Sequence, residues 1–103
     1  MRVTTHPGEV LREEFMIPLG VSINKLAGDL DIAISRVSNI VNGQRAVTAD
    51  TALRLAIYFK TTPEFWLNLQ SAYDLSRLRA ERGNAIIHAV RMPKNDQTVP
   101  LSA

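Results

Sequence analysis

The residues of this chain best suited to chemistry lie on one short segment: Ser35, Arg36, Ser38 and Asn39. They bring short hydroxyl and amide donors and acceptors together with one guanidinium. That set suits hydrogen bonding to base edges, and a guanidinium there matches a guanine. A face that only had to be solvated would more often carry Glu and Lys. Asn42-Gly43 follows as a helix stop, with glycine at the position that favours a left-handed backbone. Gln44 and Arg45 come next, placed to meet a phosphate.

Such a face works only if two helices hold it. Leu26 and Leu30 are four apart, one face of a helix. Val37 and Ile40 are three apart, one face of the next. Between them only Asp31 and Ile32 turn the chain, so the helices must cross steeply. The small Ala27 fits where the second packs on the first. This is the pattern of a helix-turn-helix, whose second helix lies in a DNA major groove. Asp31 stands at the turn where glycine is common, because the backbone there often has positive φ. Asp tolerates that region better than most residues, so the expected effect is a small local cost and no change of fold.

The expected scaffold is all-α, with five helices. The first runs from about Pro7 to Met16, with Leu11 and Phe15 inward and Pro18 and Gly20 ending it. Ser22 caps the second, Ile23 to Leu30. The third covers Ile34 to Val41. Thr48 caps the fourth, which buries Ala52, Leu55, Ala56 and Phe59. Thr62 caps the fifth, with Pro63 in its first turn and no breaker before Gly83. Phe65, Leu69 and Tyr73 recur every four residues there, with Trp66 alongside. These four can all be core. A helix this long should project beyond a small bundle, however, so they are read as a homodimer interface with Trp66 as its anchor. The domain is placed at residues 1–83, with its motif at 22–43 and a C-terminal extension, dimer- or partner-binding, at 84–103. In that extension AIIHAVRM fits either a short strand or a helix end, and KNDQTVPLSA reads as a loose tail.

Composition narrows the function classes. The 103 residues make one domain of ordinary size, and 46% are hydrophobic, enough for a core. With no Cys there are no disulfides or thiolate metal sites, which fits a cytoplasmic location. No apolar run approaches the roughly 20 residues that span a bilayer, and MRVTTHPGEV is no signal peptide. A net charge of +2 is too mild to demand a nucleic acid. Its distribution is uneven: Arg77, Arg79, Arg82, Arg91 and Lys94 crowd the C-terminal third, while Glu9, Glu13 and Glu14 make the first helix acidic. His6 and His88 lie far apart and match no metal-ligand spacing. His6, before Pro7, reads as a capping or surface residue. The three glutamates read as a solvated face. No glycine-rich phosphate loop or Ser/His/Asp order is present, so no catalysis, metal or cofactor is expected.

HPGEVLREEFMIPLGVS, ISRVSNIVNGQRAVTADTALRLAIYF and TPEFWLNLQSAYDL together resemble the HigA/VapI-type antitoxins, a branch of the lambda-repressor-like helix-turn-helix proteins. The similarity covers roughly Thr5 to Leu75. A generic phage-type repressor would share only the central motif. The resemblance implies a dimer that binds its own operator and neutralises a RelE- or HigB-like mRNA-cleaving toxin encoded beside it. It places the recognition helix at Ala33 to Val41, with base reading by Ser35, Arg36 and Asn39. Backbone contacts would fall to Ser22, Lys25, Asn42, Gln44 and Arg45. Ile34 departs from the pattern, being apolar where relatives often carry a polar or basic residue. Gly28 departs too, weakening the second helix by up to about 1 kcal/mol relative to Ala. A stand-alone repressor without a toxin is the alternative.

Overall fold

The computed structural model describes residues 4–93. Five helices and no strand occur among them. The first, α1, is one continuous rod built of Pro7–Val10, a π-helical stretch Leu11–Met16, and Ile17–Leu19. Then come α2 (Ile23–Leu30), α3 (Ile34–Val41), α4 (Ala49–Phe59) and α5 (Pro63–Ala89). The tail KNDQTVPLSA lies outside the described residues.

Caps set most of these boundaries. Ser22, Thr48 and Thr62 each accept a hydrogen bond from a backbone N–H in the first turn of the helix they open, at Lys25, Thr51 and Phe65. His6 does the same for α1 through Nδ1, 2.9 Å from the Gly8 nitrogen. The C-terminal ends of α1 to α4 share one device. A single residue turns left-handed: Gly20, Asp31, Gly43 and Lys60 in turn. The next N–H then reaches a carbonyl five residues back, as from Ile32 to Ala27 (3.0 Å) and from Gln44 to Asn39 (2.8 Å). Asp31 adopts φ 57°, the backbone that the turn demanded.

Two expected boundaries need correcting. Pro18 does not end α1, which runs three residues past Met16 and stops at Gly20. A proline ring inside a regular helix presses on the carbonyl four residues back and leaves it unpaired. Here the turn before Pro18 is widened, and the Ile17 N–H reaches back to Arg12. Nor does Gly83 break α5. The helix passes through it to Ala89, so the first five residues of AIIHAVRM are helix end and none of the eight is strand. A helical glycine weakens a helix by about 1 kcal/mol without stopping it.

The core lies where α1 to α4 meet the first third of α5. Trp66, Leu11, Leu26, Ile40 and Leu55 are its largest enclosed side chains. Phe15 leans on Phe59 and Trp66 at ring distances of 5.1 Å, closing the floor. Phe59 itself is only half-buried. Ala27 is enclosed, and its small side chain lets α3 cross close to α2. Gly8 sets a second close approach. A Cβ on it would overlap the Ile40 carbonyl, so α1 can lie against the end of α3 only with glycine there. Beyond this bundle no other described element packs on α5. At 1.5 Å per residue its 27 residues span about 40 Å, and the molecule measures 56 × 28 × 22 Å.

Candidate nucleic-acid interface

The candidate recognition surface is the outer side of α3. Val37 and Ile40 are buried against the bundle, which turns Ser35 fully outward and leaves Arg36, Ser38 and Asn39 partly exposed. Ile34, on the first turn of α3, is 53% exposed and extends this face with an apolar contact. Asn42, Gln44 and Arg45 follow the stop and are all exposed. On the neighbouring helix Ser22 and Lys25 are exposed at the start of α2. The fold therefore gathers all eight of the expected DNA-facing residues around α3 and the start of α2.

Their surroundings differ in ways that spacing could not show. The Ser22 Oγ accepts from the Lys25 N–H at 3.1 Å, which leaves its hydroxyl proton to donate outward. The Lys25 ammonium sits 3.2 Å from Asp29, and the Tyr58 hydroxyl donates to the same carboxylate at 2.7 Å. Those two donors, Tyr58 first, hold the Asp29 carboxyl below its ordinary range. Among the described residues Arg45 has no such pair, and its guanidinium is exposed. Arg36 is held by Asp50, with Nη1 3.0 Å from Oδ2. Asp50 also accepts from Arg54, again at 3.0 Å, and the Arg54 contact is the main cause of its lowered pKa. Arg54 in turn donates to the Leu30 carbonyl at 2.7 Å, at the turn of the motif.

Sequence reasoning assigned no role to Asp50, Arg54, Gly8 or Gln70. The carbonyl oxygen of Gln70, buried on α5, accepts from the Val47 N–H at 2.8 Å, and its amide donates to Asp74 at 2.9 Å. It thereby fixes the loop between α3 and α4. Asp50 and Arg54 are four apart, an ion-pair spacing legible in the sequence. Their reach to α2 and α3 was not.

The proposed dimer anchor needs correction. Trp66 is enclosed within one chain, its indole N–H donating to Thr61 at 2.8 Å, so it has no surface to offer a partner. Leu69 is packed on the core, and Tyr73 lies edge-on to His6 at 4.8 Å. Of the four, Phe65 is the most open, at 38%. Further along α5 the exposed large apolar residues are Leu75, Leu78, Ile86 and Ile87, of which the first three share one face and Ile87 lies across the helix from Leu78.

A short first helix, a tight left-handed turn at Asp31 and a docked second helix with a polar outer face define a helix-turn-helix protein. The helix-turn-helix family model matches residues 11–66, more than half of the chain. Virulence-associated protein I of Dichelobacter nodosus is 49% identical over 77 residues, covering 75% of this chain and 71% of that protein. A HigA-family addiction module antidote protein from Coxiella burnetii is 49% identical, with a TM-score of 0.83 over 89% of this chain and all of that one. The Pseudomonas aeruginosa antitoxin HigA, solved with the higBA promoter, is 42% identical. Its TM-score is 0.82 over 84% of this chain and 95% of that one. The chain belongs to the helix-turn-helix family and, within it, to the HigA/VapI-type antitoxins. No helix among the described residues is long and apolar enough to cross a membrane.

Proposed function

We propose that this chain binds operator DNA as a homodimer, represses its own operon and neutralises a RelE-like mRNA-cleaving toxin encoded beside it. The observation that carries the DNA reading is the outer face of α3. Ser35, Arg36 and Asn39 stand on a helix pinned from behind by Val37, Ile40 and the close contact at Gly8. Arg45 stands open at its end to meet a phosphate. A relative of the same fold was solved with promoter DNA. The site is a palindrome with half-sites about one helical turn apart. A gel-shift series on the DNA upstream of the gene tests this. Arg36→Ala weakens binding by about 1–3 kcal/mol, concentrated at one base position. Arg45→Ala weakens all sequences alike and lowers the salt slope by about one. A native chain indifferent to sequence removes the operator reading.

The two-fold axis is assigned to the distal part of α5. Leu75, Leu78 and Ile86 share one face of the helix and leave an apolar stripe that the described residues do not cover. A second α5 covers it and supplies the symmetry that a palindrome needs. Leu78→Glu combined with Ile86→Glu gives a folded monomer by sedimentation at micromolar concentration. A native chain that is itself monomeric there overturns the assignment.

The toxin is assigned to the acidic face of α1, where Glu9, Glu13 and Glu14 are exposed. A ribonuclease that holds RNA is basic, so attraction favours this face over the arginine-bearing end of α5. Co-expression with the adjacent small open reading frame tests the assignment. If no complex co-purifies and growth is unaffected by deletion of this gene, the stand-alone repressor is what remains.

A further inference from the structure

We propose that Asp50 is a positioning residue that fixes what Arg36 reads, through a carboxylate anchored by Arg54 to the turn of the motif. The inference rests on the operator reading above. Three helices meet in this cluster. Asp50 and Arg54 lie on α4, Arg36 on α3, and the accepting Leu30 carbonyl ends α2. The Asp50 carboxylate is not a free surface group. Its Oδ2 accepts from the Arg54 Nε at 3.0 Å, and its Oδ1 lies 3.5 Å from the Arg54 Nη2. The Arg54 Nη1 is fixed 2.7 Å from the Leu30 oxygen. The carboxylate, though 56% exposed, is thus tied to backbone through the Arg54 side chain.

Arg36 leans on that carboxylate with one nitrogen only, Nη1, at 3.0 Å. A guanidinium has five N–H donors in a rigid fork. The contact leaves the Nε and Nη2 donors of Arg36 to approach a base, and it fixes the plane in which they do so. Discrimination between bases needs that plane, because the bidentate match to guanine is geometric. An arginine left to rotate would still find phosphates but would select among bases poorly. A carboxylate beside the DNA also repels phosphates, so its removal should strengthen sequence-independent binding while weakening choice.

The test selects bound sequences from a randomised DNA duplex pool with the full chain. Native protein, Asp50→Ala, Asp50→Asn, Arg54→Ala, Arg36→Ala and the Asp50→Ala/Arg36→Ala double variant are compared. The expected result is that Asp50→Ala keeps the palindrome. Its preference at the position that Arg36→Ala flattens falls on the order of tenfold. Non-specific binding is equal or stronger. Arg54→Ala, with Asp50 intact, flattens the same position. Asp50→Asn keeps an oxygen acceptor and restores much of the preference. In the Arg36→Ala background, removal of Asp50 changes nothing further at that position. Thermal melts identify any variant that fails to fold, and Asp50→Asn and Arg54→Ala then carry the decision. Tighter operator binding by Asp50→Ala with unchanged base preference overturns the inference, because the carboxylate is then a competitor. Uniform weakening at every position also overturns it, because the network is then only structural. If native protein selects no sequence, the operator reading falls and this inference with it; if only the variants behave as native, this inference alone falls.

Discussion

Trp66 and Ile87 lie on the same helix, about 32 Å apart at the helical rise, in opposite surroundings. Trp66 is fully enclosed by α1, α4 and its own helix, with its one polar atom bonded to Thr61. Ile87 is 71% exposed on a stretch of helix against which no other described element packs. The first third of α5 thus holds the bundle together, and the last third only extends from it. In the bundle polar atoms are as well placed as the apolar ones: Gln70 satisfies Val47, and Arg54 satisfies Leu30. Past Ser76, whose buried hydroxyl accepts from the Thr4 N–H at 3.2 Å, the side-chain ties of α5 among the described residues are exposed and local, as from Arg77 to Glu81 and between His88 and the Asn84 carbonyl. Such pairs contribute little, about 0–1 kcal/mol each. The same residue types therefore define a fold in one place and an available surface in the other.

The sharpest way to break this comparison is truncation at both ends. Trp66→Ala should destabilise the bundle by about 3–5 kcal/mol, by lost burial and the cavity left behind. Ile87→Ala, in dilute monomer, should change stability by less than about 0.5 kcal/mol. Denaturant titration below the dimerisation range checks both. Equal losses would mean that the distal helix belongs to the core. Gly8→Ala should be comparably severe, because the clash is with the Ile40 backbone and neither partner can turn aside. Its signature is loss of the α3 surface together with stability.

Gln70→Ala comes next, at about 1–3 kcal/mol. It leaves the Val47 N–H buried without an acceptor, beyond the packing it removes. Hydrogen exchange should show the loop between α3 and α4 loosening first. Protection unchanged there would mean that the loop is held by packing alone.

These effects mark where the sequence could be read and where it could not. The helix-turn-helix was legible because every signal in it is local: the leucine pair in α2, the caps, and the Asp31 and Gly43 turns. The bounds of α2 and α3 follow from those residues alone. The Gly20 stop of α1 was legible too, but the helix's continuation past Pro18 was not, since it depends on a widened turn that no periodicity records. Nor was the course of α5. Gly83 was read as a breaker, but a 27-residue helix absorbs one weak position. Trp66 was misplaced for a different reason. Spacing shows which residues share a helix face, but only the packing of α1 against that face shows that the face is closed. Asp50 and Arg54 were visible as a pair, while their long-range partners depended on the crossing of three helices.

Two glycines carry the comparison to smaller effects. At Gly28 a Cβ would meet nothing within 4 Å, so Gly28→Ala should stabilise the bundle by about 0.5–1 kcal/mol. At Gly83 the nearest atom would be the Arg79 Cβ at 3.9 Å, an ordinary contact. There Ala should raise helix content without raising the midpoint of global unfolding, because the distal helix is outside the cooperative unit. Circular dichroism beside a tryptophan-fluorescence melt separates the two. A shared shift of the fluorescence midpoint would join the distal helix to the bundle.

His6 gives the smallest effect and the finest probe of the bundle side. Its Nδ1 accepts from the Gly8 N–H, which requires that nitrogen to be unprotonated. Partial burial lowers its pKa from 6.5, opposed by the nearby Asp74 carboxylate. The sign follows directly. A histidine with a folded pKa below its unfolded one stabilises the fold above the unfolded value, and loses that contribution as pH falls through the folded value. Stability should therefore be fully present above 6.5 and decline below it, while His6→Asn, which keeps a capping oxygen and removes the titration, should not show that decline. Because His6 also lies beside Gly43 and Tyr73, the loss should appear at the N-terminal turn of α1 and the end of α3, not in the distal helix. Denaturant titrations of both proteins on either side of 6.5 decide it: parallel pH dependence would remove His6 from the bundle's closure.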